Sequence, residues 1–591
     1  MRDVIVIGAG GGGPVMAKEL AGRGLDVLML EAGGRHAEPE KEWAHLENDA
    51  NNPATGYFRW GPSDRTKPAW LRELPQLSYI FQVSGVGGTT LHYYGNHPRA
   101  MPGVFRGFGG RNAGAYDRAH QFPFAYRELV PYFEWVEHTL PVETAAMGTK
   151  EEVFLDAARR RGLAYQSSKD ATRDAHRPQE NAILQPRGTA GRSRDPKKIR
   201  YPDARGCTFC GFCLQGCYEP RGAPRNHAAK RSTDNSYAPM ALTADAWARG
   251  GKAVTLVTDA FVTRVETEQV EGAPRARAVH WRDTRTGAQS SEEAKVVVLA
   301  AGCVENPRLW FNSGLPNPNG WVGRGLTDHA FDMVLGVMPY YTGSSKGPSS
   351  AARCDYPARG GLENFAFNPG YQAAGALISD AGMAGLYDNG AEIGTAGAKS
   401  LGRLVGSELK SLMSDIDRLI SILVITDDDV EPQNRVELST GLPPDEHGQV
   451  PKATIRQSRR SARTRRNRED MAGEAVKILK AGGAKDIYRI GWPSVILHVQ
   501  STMRMGESES DSVLDENAES RAVKGLFIAD NSALANSLGG PNPTLTTQAL
   551  ATRTAEKIFE RYFDGSPWVT REAPVISTSP AVTKAVIKRG L

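Results

Sequence analysis

Short apolar runs bounded by glycine open the chain. In DVIVIGAGGGGPVMAKELAGRGLDVLMLEAGG, residues 3–34, Val4 to Ile7 and Asp26 to Leu30 bracket a glycine turn and a helix. Unbroken runs of this length predict strands buried on both faces, as in a parallel sheet. KVVVLAAGCVENPRLW (295–310) predicts another such strand, ending at Ala-Ala-Gly302, then a helix start. LFIADNSAL (526–534) predicts a strand ending at Asp530, and AVTLVTDAFVTRVETE (253–268) alternates as half-buried strands do. NRVELST (434–440) and PKATIRQS (451–458) predict two strands around a PPDEHG turn, with a helix over about 468–481 after them. The acidic TDDDVEP (426–432) reads as the turn before that sheet. The polar, Pro-, Gly- and Arg-containing stretch 170–206 predicts a surface connection, and 565–591 an extended arm docked on the body or on another subunit.

Composition narrows the classes. At 591 residues and 40% hydrophobic, the chain can bury a large core, and its length corresponds to about three to four domains. Net charge is +5, from 72 basic and 67 acidic residues, which argues against nucleic-acid binding. The densest basic run, RRSARTRRNR (459–468), reads as the solvated start of the helix that follows it. No apolar run approaches the roughly 18 residues of a membrane helix. MRDVIVIGAG leads straight into a strand with no room for a signal peptide, so a cytoplasmic protein is expected. Export on a signal-bearing partner subunit, giving a periplasmic protein, fits the same sequence.

Gly8, Gly10 and Gly13 satisfy G-x-G-x-x-G between a strand and a helix, and Glu31 ends the second strand. Gly8 permits the tight turn, Gly10 the approach of a pyrophosphate and Gly13 close helix–strand packing. Pro14 suits a first helical turn, and Glu31 is placed for ribose hydroxyls. This is a Rossmann-type dinucleotide site; the N-terminal position and EAGG after the acid favour FAD over NAD. In that reading the strand near Val262 meets the adenine, Gly302 lies by the cofactor, and Asp530 bonds its ribityl or pyrophosphate region.

CTFCGFCLQGC places Cys207, Cys210, Cys213 and Cys217 at C-x2-C-x2-C-x3-C spacing. This is the ferredoxin-type run with Tyr218 in place of the usual proline. Gly206, Gly211 and Gly216 give the loop the freedom to wrap thiolates around a cluster. Zinc more often takes two well-separated C-x2-C pairs, and free or disulfide-bonded thiols are the third alternative. Cys303 and Cys354 lie far away and read as packed thiols.

Four further stretches resemble the glucose–methanol–choline (GMC) oxidoreductases. GVGGTTLHYYGNHPR (85–99), carrying Gly87, Gly88, Thr89 and His92, resembles their flavin-side glycine signature. VGRGLTDH (322–329) resembles their motif ahead of the substrate domain. LHVQSTMRMG (497–506) and GGPNPTLTTQALATRTAEKI (539–558) resemble their C-terminal active-site signature. The resemblance implies an α/β fold: a Rossmann-like FAD-binding domain assembled from separated stretches, and an α+β substrate domain with an antiparallel sheet. FAD-binding parts are expected at 1–110, 201–330 (with the cysteine loop 207–217) and 491–564. Substrate-domain or connecting parts are expected at 111–200 and 331–490, and the arm at 565–591.

His498 and Asn542 match the family's catalytic pair. A neutral imidazole can take the hydroxyl proton as hydride leaves the alcohol carbon, and an amide can orient the same oxygen without titrating. Gly539, Gly540 and Pro541 bring the backbone close to the flavin. Pro543 and Thr544 open a helix whose N-terminus would favour negative charge on the reduced ring. His92 departs from the asparagine of many members and resembles the pyranose oxidase branch. A non-covalent flavin-side histidine and a covalent link both follow from that likeness. The cysteine segment resembles the large flavin subunits of gluconate, fructose and sorbitol dehydrogenases, which implies a 3Fe–4S or 4Fe–4S cluster held by three or all four cysteines.

The expected protein is therefore an FAD-dependent dehydrogenase of a sugar, polyol, glycoside or other secondary alcohol. The implied partners are a small subunit and an electron-accepting protein such as a cytochrome. The rival readings are an oxygen-using oxidase that makes hydrogen peroxide, an FAD-containing lyase without redox turnover, and a non-catalytic electron-transfer or assembly subunit.

Overall fold

A computed structural model describes residues 1–35, 79–80, 82–167, 169–185, 206–217, 219–377, 398, 404–455, 460–490 and 495–591. Two seven-stranded sheets organise it. In the first, Arg2–Ile7 pairs in parallel with Val27–Leu30 and with the C-terminal half of Gln289–Leu299. Thr255–Val257 and Leu526–Ile528 add parallel edges. Val4–Val6 and Val296–Leu299 are fully buried, as two-sided strands must be. The N-terminal half of Gln289–Leu299 pairs antiparallel with Ala273–Asp283, which pairs with Ala260–Val270. One long strand thus joins the nucleotide sheet to an antiparallel ribbon. Its members come from the start, middle and end of the chain.

The second sheet runs Asp486–Arg489, Asp332–Val337, Leu419–Thr426, Gly360–Phe365, Ser350–Tyr356, Ala175–Pro178, Ala164–Tyr165, antiparallel except at the last pair. The helices Thr149–Arg160 and Ala462–Ala481 cover one face with a core that includes Phe154, Val334, Ile422 and Leu479. The predicted hairpin forms as Arg435–Leu438 against Pro451–Thr454, but it stands apart from this sheet and packs on the helix Gly302–Asn312.

Three readings need correction or completion. The basic run is a solvated helix start only in part: Arg465 and Arg466 are exposed, while Arg460 and Arg468 are buried. Ser461 caps the helix, which begins at Ala462, and buried Arg460 binds Asp428 at 2.7 Å and also Asp328. Arg463 binds Asp429 at 2.6 Å and also Asp427. The basic and acidic runs neutralise each other, because charges held inside a fold require partners. Second, the stretch 170–206 is not a surface connection throughout, since Ala175–Pro178 and Glu180–Asn181 are mostly buried strands; 186–205 lie outside the described residues. Third, the arm docks on its own chain. Its helix Pro580–Arg589 sets Val582 and Val586 against Met240, and Asn226 Nδ2 donates to Thr583 Oγ1 at 2.7 Å. Among the described residues no helix is long and apolar enough to cross a membrane.

Candidate active site

One cavity runs from the first glycine turn to the C-terminal histidine, lined by Gly10, Glu31, Val262, His92, His498 and Asn542 among others. At the nucleotide end, a Cβ on Gly8 would lie 2.3 Å from Ala300 O, and one on Gly13 would lie 1.9 Å from Gly8 O. Both positions therefore need glycine for packing. A Cβ on Gly10 would meet nothing nearer than Gly88 Cα at 3.9 Å, so this turn is open to a ligand's approach. A Cβ on Gly88 would lie 2.7 Å from Gly10 Cα, so the two glycine turns meet backbone to backbone. Gly87 and Thr89 flank that contact, and Thr89 is exposed to the cavity.

Glu31 is tied to the protein. Its Oε1 accepts from Gly33 N at 2.8 Å and Gly85 N at 2.9 Å, and its Oε2 accepts from Ala9 N at 2.8 Å. Ala32 N–H is a fourth backbone donor to this carboxylate, so Glu31 chiefly braces the glycine turn. Burial pushes its carboxyl up while these N–H groups pull it back. Asp530 lines the cavity, and its oxygens accept from Gly302 N at 2.7 Å, Asn306 Nδ2 at 2.8 Å, Ser532 N at 2.8 Å and Ser532 Oγ at 2.5 Å. Its acceptor capacity is filled, so it shapes the turn at Gly302. Phe261 and Val262 form the far wall, where Arg308 Nη2 donates to Val262 O at 2.9 Å.

At the other end His498 and Asn542 line the same cavity, as do Pro543 and Thr544 at the start of the helix Thr544–Tyr562. Burial lowers the basicity of His498 well below that of an ordinary histidine, and His329 and Arg353 lower it further. The imidazole is neutral at neutral pH, the state a proton acceptor needs. Asn542 Nδ2 faces Glu363 Oε2 at 3.5 Å, and its buried Oδ1 has no hydrogen-bond partner among the described residues. The open approach at Gly10 and this unmatched amide oxygen fit a dinucleotide of flavin type with a substrate beyond it.

The family model described as GMC oxidoreductase matches in two parts, an N-terminal one at 188–331 and a C-terminal one at 432–551. The chain belongs to the GMC oxidoreductases. It is 26% identical over 589 residues to 2-methyl-1,2-propanediol dehydrogenase of Mycolicibacterium austroafricanum, covering 95% of this chain and 96% of that protein. It is 26% identical over 597 residues to the fructose dehydrogenase large subunit of Gluconobacter japonicus, covering 94% and 97%. The fold is similar to that of pyridoxine 4-oxidase from Mesorbium loti, with a TM-score of 0.58 at 15% identity, covering 95% of this chain and 100% of that one. The GMC family binds FAD and acts on CH–OH groups, so this chain is an alcohol oxidoreductase.

The GMC cavity has a neighbour. Cys207, Cys210, Cys213 and Cys217 line a second, smaller cavity together with Lys230. All four are free thiols. Burial pushes Cys207 and Cys217 up, and Cys210 up to about 12. Gly211 and Gly216 take φ of +84° and +90°, which only glycine adopts freely. The loop reaches the flavin cavity through Leu214, whose carbonyl accepts from His92 Nδ1 at 3.2 Å. Four thiols around one space are the donor chemistry of an iron–sulfur cluster. Among the described residues, however, no three His, Cys, Asp or Glu side chains form a group that could hold a metal ion. The donor set fits and the present spacing of the thiols does not.

Two polar residues of the site lie outside the sequence reading. Glu363 is fully buried on Gly360–Phe365, across from Arg353 on one side and Leu423 on the other. Its Oε1 accepts from Arg353 Nη1 at 3.1 Å and its Oε2 from Asn96 Nδ2 at 2.9 Å. A lone acid inside the apolar strand GGLENF was the available signal. His329, in VGRGLTDH, lies 2.8 Å from His498, Nδ1 to Nδ1. Cys303 and Cys354 are buried, and Cys303 Sγ donates to Val499 O at 3.0 Å.

Proposed function

We propose that the chain is an FAD-dependent dehydrogenase that oxidises an alcohol group of a sugar, polyol or related secondary alcohol. A neutral, partly buried His498 that lines the same cavity as Asn542 and the first glycine turn carries this reading. Bound FAD supplies at N5 the acceptor for the hydride that leaves the alcohol carbon. His498 takes the hydroxyl proton, and Asn542 fixes the alcohol oxygen so that carbon and acceptor stand within about 3–3.5 Å. Leu423 and Leu497 exclude water from one side of this end, and Glu363 behind Asn542 holds that amide in place.

We infer that Cys207, Cys210, Cys213 and Cys217, once drawn together, would hold an iron–sulfur cluster, and that such a cluster would supply one-electron transfer to a partner subunit or a cytochrome-like acceptor. Supporting this are the four thiols around one space and the direct contact of their loop with the flavin cavity at Leu214 and His92. Cluster binding must draw the thiols together and release their protons.

Anaerobic titration of FAD-loaded protein with D-fructose, sorbitol, 2-methyl-1,2-propanediol and a long-chain primary alcohol tests both parts. Bleaching of the flavin with iron and sulfide present in the protein is expected. A flavin that stays oxidised with every alcohol would end the dehydrogenase reading, and stoichiometric zinc without iron would end the relay.

A further inference from the structure

The imidazoles of His329 and His498 meet through their Nδ1 atoms at 2.8 Å, with ring planes 84° apart. Between two neutral rings only one of those nitrogens carries hydrogen. The far side of His329 decides which one. Its Nε2 lies 2.7 Å from Ser537 O. A carbonyl oxygen only accepts, so this Nε2 bears the hydrogen and Nδ1 of His329 bears the lone pair. Nδ1 of His498 must then donate, which leaves the lone pair of His498 on Nε2. Gln500 Nε2, which carries two hydrogens, lies 3.0 Å from both His498 O and Nε2 of His329. Ser537 O can only accept and lies nearer that ring nitrogen, at 2.7 Å, so the hydrogen is placed on Nε2 of His329.

Placement agrees with this chain of donors. His498 lines the cavity and His329 does not, so His329 stands behind it. His329 is fully buried, and burial lowers its pKa to about 4, so it is neutral. The backbone around the pair is strained at several points. His329, Ala330, Ser501 and Leu538 hold φ of +72°, +38°, +73° and +62°, a region that side chains other than glycine rarely adopt. Leu538 follows Ser537, and Ser501 follows Gln500. Such strain persists where the surroundings over-determine it, and here it converges on one histidine pair.

We propose that His329 is a positioning residue that holds His498 as its Nδ1–H tautomer, with Nε2 presented to the substrate hydroxyl. This rests on the reading of His498 as the proton acceptor. When the proton arrives, the substrate O–H bond breaks and an Nε2–H bond forms on His498. The resulting imidazolium keeps its Nδ1–H on the His329 lone pair, now as a charge-assisted hydrogen bond. Without His329, the ring is free to carry hydrogen on Nε2 and face the alcohol as a donor, the wrong state for a base.

Long-range proton–nitrogen NMR of FAD-loaded protein carrying 15N-histidine reads the tautomer directly, with His498→Gln assigning the signal. The wild type is expected to show hydrogen on Nδ1 of His498. In His329→Ala the pattern should shift toward hydrogen on Nε2, and flavin reduction by the fastest alcohol of the panel should fall about 100-fold or more, as for a base held in the wrong tautomer. His329→Asn, whose side-chain oxygen can accept from the same nitrogen, should restore most of both. A wild-type His498 with hydrogen on Nε2, or an unchanged tautomer in His329→Ala, overturns the proposal. If His329→Ala loses its flavin, the wild-type and His329→Asn spectra decide. The spectra judge His329 even if no alcohol reduces the flavin, an outcome that counts only against the dehydrogenase reading.

Discussion

The ammonium of Lys230 donates to Cys213 O at 2.6 Å, and from the same buried position to Leu91 O at 2.8 Å and Tyr93 O at 2.9 Å. One cation thus ties the thiol loop to the segment that flanks the flavin cavity. The tie is mechanical as well as electrostatic. Removing it leaves three carbonyls without their donor and lets the loop drift from His92. Lys230→Met should destabilise the protein by about 2–4 kcal/mol, from buried acceptors left unmatched. It should also lower the iron retained through purification. Denaturant titration and iron analysis check this. A variant equal to wild type in both would show that the two segments are held together by other contacts.

The pH profile of substrate-driven flavin reduction tests the proton acceptor. Burial and the neighbouring His329 and Arg353 depress the His498 pKa well below 6.5. A histidine with depressed pKa is neutral above that value and protonates only below it. The reduction rate should therefore stay flat from pH 8 to below 6.5 and fall only at lower pH. Folding stability linked to the same group also falls as pH drops below 6.5, since the unfolded chain takes the proton first. His498→Ala should lose about 100-fold to 10,000-fold in rate, lose the acid limb, and keep FAD bound. An acid limb centred above pH 6.5, or near-wild-type turnover in His498→Ala, would remove His498 from the mechanism.

Glu363 places a carboxylate between Arg353 and the two amides of Asn96 and Asn542. Burial pushes its carboxyl up, and Arg353 pulls it back down. Glu363→Gln keeps the shape but brings an NH2 group to a site built from donors. One of the amides must turn or lose its partner. Because Asn542 lines the cavity and is proposed to orient the alcohol, we expect a fall of about 10-fold in the reduction rate with unchanged FAD content. Glu363→Ala should also destabilise the fold, by about 3–5 kcal/mol, because Arg353 loses one of its buried partners. Stopped-flow reduction and denaturant titration separate the two effects. A Glu363→Gln rate equal to wild type would make this acid purely structural.

These residues also show what the chain reveals on reading. The glycine turn and the apolar strands are local features that can be read before any tertiary contact exists, whereas Glu31 also takes a donor from Gly85, far along the chain. His498 and Asn542 were reached through their neighbours in two signatures. Glu363 was not, because its meaning comes from cross-strand register: Arg353 lies opposite it in the folded sheet and ten positions away in sequence. His329 lay inside a quoted motif, yet only the folded chain brings it to His498. The run 459–468 misled in part because dense charge reads as solvated. Its partners, Asp328 and Asp427 to Asp429, stand far back along the chain with no spacing that links them. The buried strands at 175–181 were hidden by polar side chains such as Arg177 and Glu180, which pair with each other.

Arg460 supplies the sharpest stability test. Its guanidinium is buried between Asp328 and Asp428, and Asp328 precedes the positioning histidine. Burial and the nearby Asp328, Glu431 and Asp427 push the Asp428 carboxyl well above its ordinary value, while Arg460 holds it down. Arg460→Met fills similar space but leaves both carboxylates without their cation. A buried charge that loses its partner costs about 3–5 kcal/mol. The sign with pH follows from the same charges. Without Arg460 the folded-state pKa of Asp428 rises further above that of the unfolded chain. The fold then binds a proton that the unfolded chain has released, and stability is lost as pH rises through the folded value. The deficit of Arg460→Met relative to wild type should therefore be smaller at pH 5.5 than at pH 8. Denaturant titrations of both proteins at the two pH values measure it. A deficit that is constant or shrinks toward pH 8 would mean that this arginine is held by shape rather than by the two acids.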